Sequence, residues 1–544
     1  MDPVSAFLLD KLYIIWGRLS YLAGVPVQQF GEWAWRNTSY YLLSPEISLL
    51  IGLGIICLIE IFSSKRDNFL IVCWIAILSL LGNLMMTIHM MYYTSRYFGY
   101  GLGTWWGGLE TIDPYALMFK QLMDWGDIMI ILALIGYKPL RKYRVEFIIL
   151  MLAGTIAYDL MVGSSDLLAV YVMTEFGGIT GYIMAAFHKK NLRSLEAGLK
   201  YFITGAAASS ALLFAMSILY GATNETNLYY IQKYLASNPS AAYMPMVVFS
   251  IVLLLVAIGY KLGIAPFHLW VADVYEGSPT PVTAFISVFP KTAGYAVLMR
   301  LLFISFIGLK QIWIPILAVM SIASMVIGNV MALRQTSFKR MMAYSGISHM
   351  GYIMIGVIAA AHASSEMEQT EGFYAALYYV LVYFFMNLGI FIAAMAVESA
   401  GGTDHMDSYN GLVRRNPLLT VIFSILIIAL VGLPPTVGFW AKFFVFKSMV
   451  TYAVVNRLLM ALLIFALLTT AMSAYYYMRL LYRMWVLPPA LEQNRRFEPI
   501  LFTRLAILVP ALFILLLGVM FVNVPFDYVK EAYFLVYWQK DYQI

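Results

Sequence analysis

The chain is poor in charge. Of its 544 residues only 12% are Asp, Glu, Lys or Arg, against ~25% in an ordinary soluble domain. It has two cysteines, Cys57 and Cys73, both in apolar segments. Two thiols cannot make a four-thiolate iron–sulfur cluster, and their spacing is not that of a zinc site; both read as small core residues. No Walker A sequence is present, and no Rossmann glycine pattern follows a strand. The chain therefore has no visible means of redox chemistry or hydrolysis, and its energy must come from an ion gradient or from partner subunits. No cleavable signal peptide is evident, because residues 1–43 carry Asp10, Lys11, Arg18, Glu32 and Arg36 with no uninterrupted apolar core. That stretch reads as an interfacial or amphipathic extension.

What remains is apolar. Hydrophobic residues make up 62% of the chain and the mean hydropathy is +0.79. Stretches of ~20 apolar residues recur throughout, which marks an all-α polytopic membrane bundle. The pattern predicts about 14 spans, at 44–63, 69–91, 114–136, 146–164, 166–187, 196–221, 244–271, 279–305, 311–333, 342–362, 371–398, 417–450, 457–483 and 502–524. Loops after odd-numbered spans hold most of the Lys and Arg, among them Lys138, Arg141, Lys142, Arg144, Lys189, Lys190, Arg193, Arg334, Lys339, Arg340, Arg414 and Arg415. The positive-inside rule puts those loops on the cytoplasmic side or its equivalent. The net charge of +6 thus reports orientation and not a nucleic-acid partner. One stretch dissents: 272–278, ADVYEGS, reads as an acidic loop on the positive side.

Two spans are broken by proline, the seventh at Pro266 and the twelfth at Pro434 and Pro435. They lie five spans apart, so equivalent helices would cross in opposite directions. Paired broken helices of that kind point to a transport site between inverted repeats. The expected organisation is an extension at 1–43, helices 1–3 at 44–136, a first five-helix repeat at 146–305, a second at 311–483, and a last helix with its tail at 484–544.

Four ionisable groups lie near span centres: Glu175, Lys261, Lys291 and Lys442. A charge at that depth costs about 3 kcal/mol on insertion scales, and a chain keeps it mainly to move charge. Burial disfavours an ammonium and a nearby carboxylate favours it. Moving the partner therefore switches a proton, and Glu175, inside span 5, is the natural partner of Lys261. One pKa unit is ~1.4 kcal/mol and one charge across 100 mV is ~2.3 kcal/mol, so a swing of a few units drives a proton against a membrane potential. His268 and His349 fit either satisfied structural histidines or a proton relay. Lys200 fits a side chain snorkelling from the start of span 6. Lys120, Asp124 and Asp127 share one face of span 3, as a self-neutralised cluster or a second wet region. Glu60, Asp159 and Arg300, nearer span ends, read as structural.

Four segments then carry a resemblance: SLEAGLKYFITGAAASSALLF, KLGIAPFHLWVADVYEGSPTPVTAF, ALRQTSFKRMMAYSGISHMGY and GLPPTVGFWAKF. They resemble the antiporter-like subunits of respiratory complex I and its relatives, over roughly residues 114–485. DVYEG followed by PTPVTAF and PK looks like the N type. The resemblance implies a proton path. In it Glu175 is the span-5 glutamate and Lys261 the broken-helix lysine, with His268 in the adjoining PFH motif. Lys291 is the central span-8 lysine and Lys442 the second broken-helix residue. Lys200 and His349 match further positions along the family's buried hydrophilic axis. It also implies no cofactor on this chain, with FMN, iron–sulfur clusters and quinone in partner subunits. The partners would be other membrane-arm subunits and lipid, in a bacterial inner membrane or an organellar inner or thylakoid membrane. Two rival readings are a subunit of a multi-subunit cation/proton antiporter and a non-pumping structural subunit of the same arm. The sequence departs from the family pattern at Ala272, where proline is common, and at Trp440 and Ala441, which set a bulky ring beside Lys442.

Overall fold

The computed structural model describes residues 43–62, 68–97, 104–105, 108–238, 245–363, 366–489 and 496–519. The expected extension, Leu43 apart, lies outside them. The chain is an α-helical, multi-pass membrane protein. Its helices are α1 Ser44–Phe62, α2 Phe69–Tyr97, α3 Pro114–Gly136, α4 Arg144–Gly163, α5 Leu167–Ala185, α6 Leu192–Thr223, the short α7 Leu228–Ser237, α8 Pro245–Leu262 and α9 Leu269–Gly277. They continue with α10 Thr280–Arg300, α11 Lys310–Ala332, α12 Phe338–His362, α13 Glu366–Ser399, the single turn α14 Leu412–Arg415, α15 Pro417–Val431, α16 Val437–Ala453, α17 Arg457–Trp485 and α18 Leu501–Val519. A two-residue hairpin, β1 Thr104–Trp105 with β2 Glu110–Thr111, precedes α3.

Twelve helices among the described residues are long and apolar enough to cross a membrane. Two of the fourteen expected spans are not among them. The helix at 114–136 is long enough but carries Lys120, Asp124 and Asp127. The expected span 417–450 is two helices, α15 and α16, each too short alone. The expected span 244–271 is likewise divided, and its acidic sequel is not a loop but the helix α9.

The membrane-spanning stretches of α10, α12 and α13 are wholly buried, while α1 and α17 expose most of theirs. The large apolar side chains on the outer helices, such as Leu58, Leu199 and Leu468, are therefore suited to lipid. The buried trio is largely apolar on every face, as a helix surrounded by helices tends to be, and the polar side chains it does carry, Lys291 and His349 among them, are buried too.

Both breaks follow the same local logic. Proline supplies no N–H and clashes with the preceding turn, so the helix ends. Each first half ends at a left-handed glycine, Gly263 (φ +70°) and Gly432 (φ +85°), a conformation glycine adopts at little cost. A proline peptide is cis in each break, Ala265–Pro266 and Pro434–Pro435. Backbone groups freed at a break need partners inside the bundle. Ser324 Oγ accepts from Ala265 N at 2.8 Å, and Trp270 Nε1 donates to Tyr260 O at 3.1 Å. At the second break Lys442 Nζ donates to Val431 O at 2.8 Å and Leu430 O at 3.3 Å.

Candidate functional site

Lys261 lies in the last turn of α8 and is buried. Its Nζ donates to Thr174 O on α5 at 3.0 Å. A Cβ at Gly178, one turn along α5, would stand 3.2 Å from that Nζ, so the glycine lets the amine lie against the helix. Glu175 is the next residue after Thr174. Its half-buried carboxylate accepts from Ser209 Oγ on α6. No ion pair joins it to Lys261, so the two expected partners are neighbours without being bonded.

Lys291 sits at the centre of α10. Lys261 packs on the same helix at Gly294, whose Cβ would be 3.4 Å from Lys261 Cβ. The Lys291 Nζ lies 5.6 Å from the Tyr275 ring and 5.9 Å from the Tyr383 ring, the range of a cation–π contact. Gly346 on α12 makes room, since a Cβ there would fall 2.8 Å from the amine. No hydrogen-bond acceptor among the described residues reaches Lys291 Nζ, and the hydroxyls of Tyr275 and Tyr383 are also without partners.

The Tyr383 ring leads on to His349, 5.3 Å away between centroids. One imidazole nitrogen, Nδ1, is 3.0 Å from Tyr379 Oη, and the other, Nε2, is 3.2 Å from Tyr477 Oη. Tyr477 is bonded in turn to Ser345 Oγ. His349 also meets the edge of Tyr352 at 6.0 Å, and the Tyr352 ring faces Lys442 Nζ at 5.2 Å. Tyr352 donates to Thr469 Oγ1 at 3.1 Å and accepts from Asn329 Nδ2 at 3.3 Å. A run of buried proton-bearing groups thus extends from Lys291 through Tyr383, His349 and Tyr352 to Lys442. Hydroxyl and imidazole groups both donate and accept, so the run has the chemistry to pass a proton with small rotations, given bridging water.

The tyrosines were not singled out in the sequence, where they count as apolar. Their signal is a set of hydroxyls at helical spacing inside spans, Tyr379 with Tyr383 and the adjacent Tyr476 and Tyr477.

Other expected residues fall elsewhere. Lys200 is not on the buried path. Its side chain is 44% exposed and pairs with Asp273 at 2.6 Å and Glu196 at 2.7 Å. His268 stands at the N-cap position of α9 without a side-chain capping bond and is buried, with Nδ1 unpartnered, and it makes no side-chain bond to the run. The dissenting acids on the positive side are neutralised. Arg340 at the start of α12 bonds Asp273 at 2.7 Å and Glu276 at 2.8 Å. Trp440 does not crowd Lys442: its indole turns outward and donates to Gly518 O on α18 at 3.1 Å. Lys120, Asp124 and Asp127 lie in a separate group among α1–α4. Arg300 pairs with Asp113 at 2.8 Å.

This architecture is shared with known proteins. Residues 164–482 match the model of the transmembrane family described as NADH:quinone oxidoreductase/Mrp antiporter. NADH-quinone oxidoreductase subunit N 2 of Symbiobacterium thermophilum is 34% identical over 459 residues, covering 81% of this chain and 87% of that protein. A chain of respiratory complex I from Thermus thermophilus superposes with a TM-score of 0.70 at 26% identity, covering 89% of this chain and 98% of that one. A chain of the Mrp complex from Dietzia gives a TM-score of 0.78 over 91% of this chain and 97% of its own, but at 17% identity, which speaks for the fold alone. The chain belongs to the NADH:quinone oxidoreductase/Mrp antiporter transmembrane family.

Proposed function

We propose that this chain is the N-type proton-translocating subunit in the membrane arm of a complex I-type quinone oxidoreductase. The observation that carries the reading is the buried lysine–tyrosine–histidine run. Lys261, Lys291 and Lys442 are each buried, and none has a carboxylate within bonding distance among the described residues. A static ion pair needs its counter-charge in place; a carrier needs it only part of the time. On this reading Lys261 and Lys291 hold and pass protons, and the Glu175 carboxylate biases Lys261 when it leaves Ser209. His349 with its tyrosines carries the proton on, and Lys442 governs exit. Each transfer moves one proton from a donor nitrogen or oxygen to the next acceptor, with no bond to carbon changed. The two broken helices would belong to two inverted repeats, 146–305 and 311–483, that place their breaks at membrane depth.

Redox energy would arrive from partner subunits that hold FMN, iron–sulfur clusters and quinone, in a bacterial inner membrane. The test is purification in mild detergent through a tag on this chain, with mass spectrometry and optical and electron-paramagnetic spectra. Co-purifying flavin and iron–sulfur subunits that reduce quinone would support the reading. A complex of membrane subunits alone, without redox centres, would replace it with gradient-driven cation/proton exchange.

A further inference from the structure

A second group of buried polar side chains lies among α1–α4, outside the lysine–tyrosine run and ahead of the stretch matched by the family model. It runs as a ladder down α3. At its upper end Lys120 Nζ bonds Glu46 Oε1 at 2.5 Å and Glu110 Oε1 at 3.2 Å. One turn on, Asn83 Nδ2 on α2 donates to two carboxylates at once, Asp124 Oδ1 at 2.9 Å and Asp159 Oδ2 at 3.2 Å. A turn further, Thr155 Oγ1 on α4 donates to Asp127 Oδ2 at 2.6 Å. The nearby Arg300 is committed to Asp113 and to Val162 O.

The charges do not balance. Glu46, Glu110, Asp124, Asp127 and Asp159 are all buried, and Lys120 is the single ammonium bonded to any of them among the described residues. Asp124, Asp127 and Asp159 are 0% exposed and have no cation within bonding distance. An isolated ionised carboxylate in such a place is costly enough that it neutralises instead, and two carboxylates sharing one site cannot both stay ionised. The hydrogen bonds carry an independent sign of the same thing. Asn83, a neutral side chain wholly buried, points its amide nitrogen between the two carboxylates, yet its own Oδ1 has no donor. Asp124 Oδ2, Asp159 Oδ1 and Asp127 Oδ1 have none either. The site is over-supplied with acceptors, and a proton on a carboxyl turns an acceptor into the missing donor. A metal ion does not fit as well: among the described residues no group of three or more acidic, histidine or cysteine side chains is arranged to hold one.

We propose that Asp124 and Asp159, bridged by Asn83, together with Asp127, form a proton-binding site separate from the lysine–tyrosine run. The ladder reaches the hairpin at Glu110, whose carboxyl is held above the usual carboxylate range by burial, against the pull of Lys120. It gives the site a titratable group at the end of α3 that the loop charges assign to the outer side.

The test is infrared spectroscopy at pH 7 on the whole complex, with aspartate carboxyls carrying carbon-13, read as wild type minus variant. Asp124→Asn, Asp159→Asn and Asp127→Asn are the variants, and Asp404→Asn in a loop is the control. A proton site gives a protonated-carboxyl C=O band in the Asp127 difference and in at least one of the Asp124 and Asp159 differences, insensitive to exchange of K⁺ for Na⁺. Where an asparagine blocks assembly, Asp→Glu at the same position keeps the carboxyl but removes it from the labelled set, so the isotope-shifted band still vanishes. Differences that contain only carboxylate bands would overturn the proposal. So would a protonated band that disappears when Na⁺ replaces K⁺, which would make the cluster a cation site.

Discussion

Replacing Lys291 by methionine separates stability from function. The Lys291 amine is buried against Tyr275 and Tyr383 and has no hydrogen-bond acceptor among the described residues. Buried donors without acceptors cost about 1–3 kcal/mol, and more when the group is charged. Methionine has nearly the same length and flexibility and fills the same slot with little repacking. Lys291→Met should therefore stabilise the subunit by about 1–3 kcal/mol, a shift of roughly one to two decades in the unfolding equilibrium. The same change removes the group that takes the proton between Lys261 and Tyr383, so proton transfer through this subunit should stop. Stability is read by detergent-induced unfolding of the subunit within the purified complex, and transfer by acidification in liposomes. A variant that unfolds more readily than the wild type would mean that the amine has a strong acceptor in the assembled protein. The view of Lys291 as an uncompensated carrier would then be wrong.

Lys442→Met should have the opposite sign in the same unfolding assay. Lys442 satisfies the carbonyls of Leu430 and Val431 at the negative end of α15, and losing those charge-assisted bonds costs about 1.5–3 kcal/mol. Arg340→Ala leaves Asp273 and Glu276 facing one another with Lys200 alone; because the cluster is part-exposed, the cost should be about 1 kcal/mol, seen as faster amide exchange in α9. Asp404, in the loop after α13, is raised by burial from 3.8 to about 6, against the opposing charge of Lys339. Its folded form holds a proton that the unfolded chain releases between about pH 4 and 6, so its contribution to stability falls as pH rises through that window and is flat above it. Subtracting the pH–stability curve of Asp404→Asn from that of the wild type should reveal that slope; a difference that rises with pH would contradict the assignment.

The central lysines were legible in the sequence because a charge inside an apolar run has no cheap structural explanation. The breaks were legible because proline cannot continue a helix. Less was visible of what surrounds them. Tyr383, Tyr379, Tyr477 and Tyr352 look apolar in a hydropathy profile, and only the packing of α12, α13 and α17 sets the Tyr379 and Tyr477 hydroxyls on His349 and the rings of Tyr383 and Tyr352 against it. Glu46, Asn83, Glu110 and Asp159 come from four different segments, so no spacing along the chain foretells that they gather around Lys120 and Asp124. Lys200 fits the snorkelling reading, its side chain being 44% exposed, but its partner was hidden: it pairs with Asp273 on α9, a helix that reads as an acidic loop until Arg340 is seen to hold it. The span count differed at 114–136 because a buried helix tolerates charges that one facing lipid could not, and at 417–450 because the proline break leaves two helices each too short to span alone.

The most direct test is the number of protons moved per electron in liposomes that contain the whole complex, wild type against Lys261→Ala. If the buried lysines carry protons, fewer protons should move per electron in the variant, and adding back Na⁺ in place of K⁺ should not restore them. An unchanged ratio at full quinone reduction would mean that Lys261 is a static part of the bundle and that this subunit does not pump by the route described.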